Sequence, residues 1–105
     1  MILYIAPVAA EAQMNVSPEA MKKGMEPWVA WYKKFGNAIV DMGAPLGKGT
    51  YLDKKGISKG QTQVTGYSIV QANDMEAVKA MLTDHPHLMM PKASIEALEI
   101  MPMNM

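Results

Sequence analysis

The apolar positions of this chain indicate a strand at its start and a helix soon afterwards. Ile2–Ile5 is continuously apolar and a proline follows shortly, which is typical of a strand whose two faces are both covered. Ser17 and Pro18 then form a helix start, with the serine as the N-cap. We expect a short helix over 18–24 and then a kink or break at Pro27, because its ring removes a hydrogen bond and disfavours helical backbone before it.

A main helix is predicted from Pro27 to a C-cap at Gly43. Its apolar residues recur every three or four positions and therefore lie on one stripe, which we expect to pack on a sheet. Together with the short helix before it, the stripe consists of Met21, Met25, Trp28, Tyr32, Phe35, Ile39 and Met42.

The rest of the chain predicts three further strands and a second helix. The strands are expected at 50–52, 64–70 and 93–101, and the helix from Asn73, or its rival cap Asp74, to Pro86. The order β-α-β-β-α-β is the ferredoxin-like arrangement, an α+β fold in which two helices cover one face of a four-stranded antiparallel sheet. A chain of 105 residues fits one such domain, over 1–105.

Both faces of the predicted sheet carry apolar residues. In the strand 64–70, Tyr67 and Ile69 point to one face, whereas Val64 and Val70 point to the other. A solvated face would instead show polar residues at every second position. Covering an apolar face of several hundred Å² is worth on the order of 10 kcal/mol before association costs, at ~25 cal/mol per Å². We therefore expect a homodimer in which two sheets face each other across a two-fold axis, as a dimeric α+β barrel.

Composition excludes several classes of protein. The ten lysines equal the ten acidic residues in number and there is no arginine, so the basic surplus that nucleic acids and anionic membranes attract is absent. Without cysteine there are no disulfides or thiol nucleophiles, and two histidines cannot form a three-histidine metal site. No apolar run approaches the roughly 20 residues that span a bilayer. Because the first lysine is Lys22, the apolar start lacks the basic residues of a signal peptide, and a cytoplasmic location is expected.

Two histidines, His85 and His87, flank Pro86 after the second predicted helix. Each could be a solvated loop side chain, or a general acid or base that titrates near neutral pH. With Asp84 they could form only a weak metal site, since the proline holds the two rings apart. The methionines within 101–105 have a spacing that suits soft Cu(I), but packing at a strand edge is the simpler interpretation. We therefore predict neither a metal nor another cofactor.

One carboxylate and two tryptophans are further candidates. Glu96 shares a strand face with Leu98 and Ile100, so it is either a buried acid with a raised pKa or a residue at the rim of the sheet. Trp28 and Trp31 lie three positions apart on the main helix, where they could wall a ligand cleft between helix and sheet.

Six short motifs occur in order along nearly the whole chain. They are Trp28–Trp31, Gly43–Gly47, Thr65–Ile69, His85–Leu88, Ser94–Glu96 and Glu99–Met103. Together they resemble the YCII-related family of the dimeric α+β-barrel superfamily. The resemblance implies a ferredoxin-like protomer and a two-fold dimer, but no particular reaction. Some members are thought to use a His–Asp pair, for which His87 is the matching histidine, with Asp41 and Glu96 as alternative acidic partners.

These residues leave three hypotheses for the function. A small cofactor-independent enzyme would use His87 to move a proton on an apolar or aromatic small molecule held by Trp28, Trp31, Tyr67 and Ser68. An accessory module would bind a small molecule or a partner without chemistry. A dimeric structural domain would have its helix–sheet cleft filled by side chains.

Overall fold

The computed structural model describes residues 1–7, 17–47, 49–60 and 62–102. Within them the chain forms, in order, β1 (Ile2–Ile5), α1 (Pro18–Lys34), β2 (Ile39–Pro45), β3 (Thr50–Asp53), β4 (Gly56–Lys59), β5 (Val64–Val70), α2 (Met75–Leu82) and β6 (Ser94–Ala97). A short 3₁₀ turn follows each helix, at Gly36–Ala38 and Pro86–Met89.

Four of the strands form an antiparallel sheet in the order β2-β5-β1-β6. Strand β1 pairs with β5 on one side and with β6 on the other, and β2 pairs with the outer side of β5. In the described part of the chain, β3 and β4 pair only with each other and form a separate hairpin. The predicted α+β class, with two helices and a four-stranded antiparallel sheet, is confirmed. The strand order is compatible with the ferredoxin-like arrangement.

One side of the sheet carries both helices, and we call it the helix face. Ile2 and Tyr4 of β1 point to this side and are buried together with Trp31 of α1 and Met81 of α2. The indole Nε1–H of Trp31 donates to the backbone carbonyl oxygen of Met81 at 2.9 Å. This bond and the shared core hold the two helices next to each other on the sheet.

The opposite side, which we call the open face, carries no helix of the described residues. Leu3 pairs with Tyr67 on one side and with Glu96 on the other, so these three residues point the same way. Asp41 pairs with Ile69 on the same face. Leu3, Tyr67 and Ile69 are half-buried, whereas the two acids are exposed. The open face therefore has an apolar centre, and its carboxylates lie on the two edge strands.

Helix α1 is continuous through Pro27, so the expected break is wrong. A proline inside a helix removes one backbone hydrogen bond and costs about 3 kcal/mol. The packing of Trp28 and Trp31 directly after it keeps the following turns against the sheet, which offsets that loss.

The C-terminal part of the predicted main helix is a strand instead. Helix α1 ends at Lys34 with Phe35 as its C-cap, and residues Ile39–Pro45 form β2. The residues between them include a glycine and an asparagine, which are weak helix formers, and the β-branched pair that follows favours a strand. Because Ile39 and Met42 continue the helical spacing of Phe35 by coincidence, the pattern alone does not reveal the change.

Strand β2 occupies the place in the sheet that the prediction gave to 50–52. The strand predicted there exists, but it lies in the β3–β4 hairpin, whose turn is closed by a bond from the Lys55 N–H to Asp53 Oδ1 at 2.8 Å. The strand predicted over 64–70 is confirmed. The last strand is shorter than its predicted range, because only Ser94–Ala97 pairs as a strand.

The predicted N-cap Ser17 is confirmed, whereas Asn73 is not the cap of the second helix. Ser17 Oγ accepts from the backbone N–H of Ala20 at 3.1 Å. At the second helix Asp74, the rival of Asn73, is the cap, and its Oδ1 accepts from the N–H of Ala77 at 2.9 Å. These bonds satisfy backbone donors that have no partner within a helix.

Gly43 provides a test of the strand that replaced the predicted helix. Its φ is +78°, and a Cβ atom there would lie 1.6 Å from the carbonyl oxygen of Tyr67. Gly43→Ala should therefore lower the free energy of unfolding by at least about 2 kcal/mol. Gly24 in α1 is the control, because a Cβ atom added there meets nothing within 4 Å. Gly24→Ala should therefore raise the free energy of unfolding by about 0.5–1 kcal/mol. Urea unfolding measures both, and a Gly43→Ala variant as stable as the wild type would contradict this geometry of β2.

Candidate functional site

A group of buried polar side chains lies on the helix face, between the centre of the sheet and the turn after α2. It consists of Tyr4 on β1, Ser68 on β5, and His85 and His87 on either side of Pro86; we call these four side chains the polar cluster. None of the four residues is more than 4% exposed. Polar atoms at such depth need hydrogen-bond partners inside the protein.

The hydrogen bonds of the polar cluster run in one direction. Ser68 Oγ donates to the backbone carbonyl oxygen of Met42 at 2.8 Å, since a carbonyl oxygen can only accept. The Tyr4 hydroxyl, 2.7 Å from Ser68 Oγ, must therefore donate its hydrogen to the serine. It then accepts from Nε2 of His85, which lies 3.3 Å away. The result is a chain of donors from His85 through Tyr4 and Ser68 to β2.

The two histidines are joined through backbone groups. The N–H of His87 donates to Nδ1 of His85 at 3.0 Å, so the neutral His85 ring carries its hydrogen on Nε2. Nε2 of His87 donates to the carbonyl oxygen of Ile5 at 2.9 Å. Pro86, at the start of the 3₁₀ turn, restricts the backbone between the two rings. Nδ1 of His87 is thus the one ring nitrogen of the cluster without a bond to the described residues.

Aromatic rings surround His85 on the side of α1. Its ring centroid lies 4.5 Å from that of Trp31, 4.7 Å from that of Trp28 and 5.0 Å from that of Tyr4. Trp28 also packs edge-on against Tyr4, at 5.1 Å and 84°. The two tryptophans therefore fill the space between helix and sheet where a ligand cleft was expected.

Burial changes the acid–base behaviour of the cluster. The pKa of Tyr4 is raised from 10.0 to about 12, mainly because burial disfavours the phenolate, while the hydrogen bond with Ser68 acts in the opposite direction. The pKa of His85 is lowered from 6.5 to about 4, because burial disfavours the imidazolium and nearby His87 adds to the effect. Both shifts keep the donor chain uncharged at neutral pH.

Four residues of the predicted site meet on the helix face. His87 and Trp28 have ring centroids 6.5 Å apart, and Trp31 and Ser68 contact the same cluster through His85 and Tyr4 respectively. Both histidines are buried, so their interpretation as solvated loop side chains is wrong. The cause is the 3₁₀ turn, which directs both rings to β1.

The other three predicted residues lie on the open face. Tyr67 lies near its centre, Asp41 on the edge strand β2 and Glu96 on the edge strand β6. Within one chain the sheet therefore separates His87 from both of its predicted acidic partners. Glu96 is exposed instead of buried, because neither helix of the described segments covers the face that it shares with Leu98.

Tyr4 was not among the predicted site residues, and His85 was considered as a loop side chain, a general acid or base or a weak metal ligand, but not as a partner of Tyr4. A signal for Tyr4 was present, since it is the one residue of β1 whose side chain has a polar atom, and a buried phenol needs a partner. Its partners, however, lie 64 and 81 positions away in the sequence. They follow only from the register of β1 with β5 and from the path of the chain after α2.

A groove with a volume of about 480 Å³ lies away from the polar cluster, at the end of the sheet where β5 leads into α2. Its walls include Ile2, Val70, Asn73, Met75 and Leu98. The volume lies in the range of small-molecule sites. No member of the polar cluster lines this groove.

No group of three or more His, Asp or Glu side chains in the described parts of the chain is arranged to hold a metal ion. The predicted weak metal site at Asp84, His85 and His87 has two of its four ring nitrogens bonded to backbone groups. Part of the predicted methionine site for copper, 103–105, lies outside the described residues. Across the segments that the structure describes, no helix has the length and apolar character needed to traverse a bilayer.

The burial of His85 predicts sensitivity to acid. Its pKa in the folded state lies below the ordinary 6.5, so the unfolded chain takes up the proton first as the pH falls. The contribution of His85 to stability is fully present above pH 6.5 and is lost as the pH falls toward 4, by on the order of 3 kcal/mol. Urea unfolding of the wild type and of His85→Asn at pH 7 and pH 4.5 measures it. The variant, whose side chain does not titrate, should lose less stability, and equal losses would contradict the role of His85.

Comparison with models of known protein families gives no match for this chain. No curated protein and no solved structure is significantly similar to it either. The YCII-related resemblance is therefore supported only by the sequence motifs that suggested it.

Proposed function

We propose that this protein is a non-catalytic accessory module that acts as a homodimer, in which a second copy covers the open face of each sheet. One observation carries the proposal: a single chain covers one face of the sheet much better than the other. Side chains of the same chain fill the centre of the helix face, whereas the apolar centre of the open face is only half-buried.

The hydrogen bonds of the polar cluster support a structural role for its histidines. The hydroxyls of Tyr4 and Ser68 are both used in the donor chain, and His85 uses both of its ring nitrogens. General acid–base catalysis needs a side chain within hydrogen-bond reach of the substrate. Nδ1 of His87 is the remaining candidate, but this residue is 3% exposed and its predicted acidic partners lie across the sheet. A substrate would have to displace packed rings to reach it.

The residues of the open face support the dimer. Leu3, Ile5, Tyr67 and Ile69 form its centre, and all four are half-buried in the single chain. A two-fold axis places the same patch of two copies against each other, so each copy completes the other. Because the carboxylates of this face lie on the edge strands, the two apolar centres meet without a charge between them. Removing this area from water supplies the driving force for association.

The resemblance to YCII-related proteins supports the same assembly, since it implies a dimeric α+β barrel. The His–Asp pair of some members is not part of our proposal. In this chain the matching histidine packs on Tyr4, with ring centroids 5.2 Å apart, and both candidate acids lie on the other face.

A charge placed on the open face tests the dimer. Tyr67→Glu should weaken dimerisation at least about a hundredfold, because a carboxylate without a partner is unfavourable in an apolar interface. Val29→Glu is the matched control, since it introduces the same charge at an exposed position of α1, and it should leave the dimer unchanged.

Sedimentation equilibrium at micromolar concentration, with circular dichroism to verify folding, measures both variants and the wild type. A folded wild-type chain that sediments as a single subunit would overturn the proposal. A Tyr67→Glu variant that dimerises as tightly as the wild type would show that the copies meet through another surface.

A further inference from the structure

The β3–β4 hairpin leaves apolar side chains in water. Every residue of its two strands is exposed. Leu52 and Ile57 are direct cross-strand partners, so they form one apolar pair on one side of the hairpin, and they are 65% and 73% exposed. An isolated two-stranded hairpin is only marginally stable in water and normally needs another element to pack on. Among the residues that the structure describes, the hairpin therefore has no packing partner that buries these side chains.

The net charge of the hairpin is opposite in sign to that of the open face. It contains Lys54, Lys55 and Lys59 against the single acid Asp53, and is therefore basic. The four strands of the sheet contain two carboxylates and no lysine, and both carboxylates point to the open face. In the described residues the one ion pair joins a lysine and a glutamate of α2, so none of them pairs with the charges of the hairpin or of the open face.

The edge of the open face at β6 carries an exposed apolar side chain. Leu98 continues the register of β6, since its N–H donates to the carbonyl oxygen of Met1 at 2.8 Å, and it points to the same face as Glu96. Leu98 is 46% exposed, in contrast to the half-buried centre of the face. This edge therefore combines an exposed apolar side chain with a carboxylate.

We propose that the β3–β4 hairpin is an arm that packs on this edge of a second copy of the chain. Leu52 and Ile57 cover Leu98 of the partner subunit, and the lysines of the arm lie beside Glu96 of the partner subunit. The inference rests on the dimer proposed above, in which the apolar centres of the two open faces meet. The arms then cover what that contact leaves uncovered, one on each side of the two-fold axis.

Removal of the apolar pair tests the arm. In Leu52→Ser with Ile57→Ser, the dimer dissociation constant should rise about tenfold or more, because the arm loses its apolar contact. Both residues are exposed in the single chain, so thermal unfolding of the dissociated subunit should change little. Met21→Ser with Met25→Ser is the control, since it removes two exposed apolar side chains from α1, and it should leave the constant unchanged.

Charge exchange tests where the arm lies. Lys54→Glu with Lys55→Glu should weaken the dimer at low salt, and Glu96→Lys added to this double variant should restore part of the affinity. Lys22→Glu with Lys23→Glu makes the same change in net charge on the exposed start of α1 and should have no effect. If the lysines of the arm lie beside Glu96 of the partner subunit, Glu96→Lys restores part of the dimer affinity. An affinity that stays as low as in the double variant would overturn this placement.

The outcomes separate the arm from the dimer itself. Sedimentation velocity over a dilution series gives the dissociation constant of each variant. If the wild type dimerises and loss of Leu52 and Ile57 does not weaken it, the arm is refuted while the dimer stands. If the folded wild type is a single subunit throughout the series, the proposed dimer fails and the arm fails with it.

Discussion

The hydroxyl group of Tyr4 connects the elements that form the helix face. It lies on the inner strand β1, accepts a hydrogen bond from His85 after α2, and donates to Ser68 on β5, which bonds to the backbone of β2. The Tyr4 ring packs edge-on against Trp28 of α1. A hydroxyl donates only one hydrogen, so reversing one bond would leave a buried group without a partner, at a cost of about 1–3 kcal/mol. The arrangement of helices on the sheet therefore depends on a neutral His85.

Because both histidines are used in packing the helix face, we look for the function on the other face of the sheet. Their bonds and the surrounding rings close the polar cluster, whereas the apolar centre of the open face is half-buried and the apolar pair of the hairpin is exposed. The open face has apolar residues at its centre and carboxylates on its edge strands, while the hairpin is basic and presents an apolar pair. The dimer that we propose covers both surfaces by one symmetric contact.

Local signals predicted where helices begin but not which segments pair in the sheet. The cap at Asp74 depends on a residue three positions away, which the sequence displays. The strand at 39–45 continues the helical spacing before it, and only its pairing with β5 distinguishes it. Glu96 was assigned to the correct face, but its burial depends on whether a second chain covers that face. Tyr4 and His85 are 81 positions apart and come together only when the sheet and α2 have formed.

The most direct test of the closed cluster is the tautomeric state of its two histidines. Long-range ¹⁵N–¹H NMR at pH 8 distinguishes a neutral ring that carries its hydrogen on Nδ1 from one that carries it on Nε2. The bonds of His85 to His87 and of His87 to Ile5 predict the hydrogen on Nε2 in both rings. Both sets of ring resonances should also be unchanged when small aromatic compounds are added. A hydrogen on Nδ1 of His85, or ring resonances that move with an added compound, would contradict a structural role for the cluster.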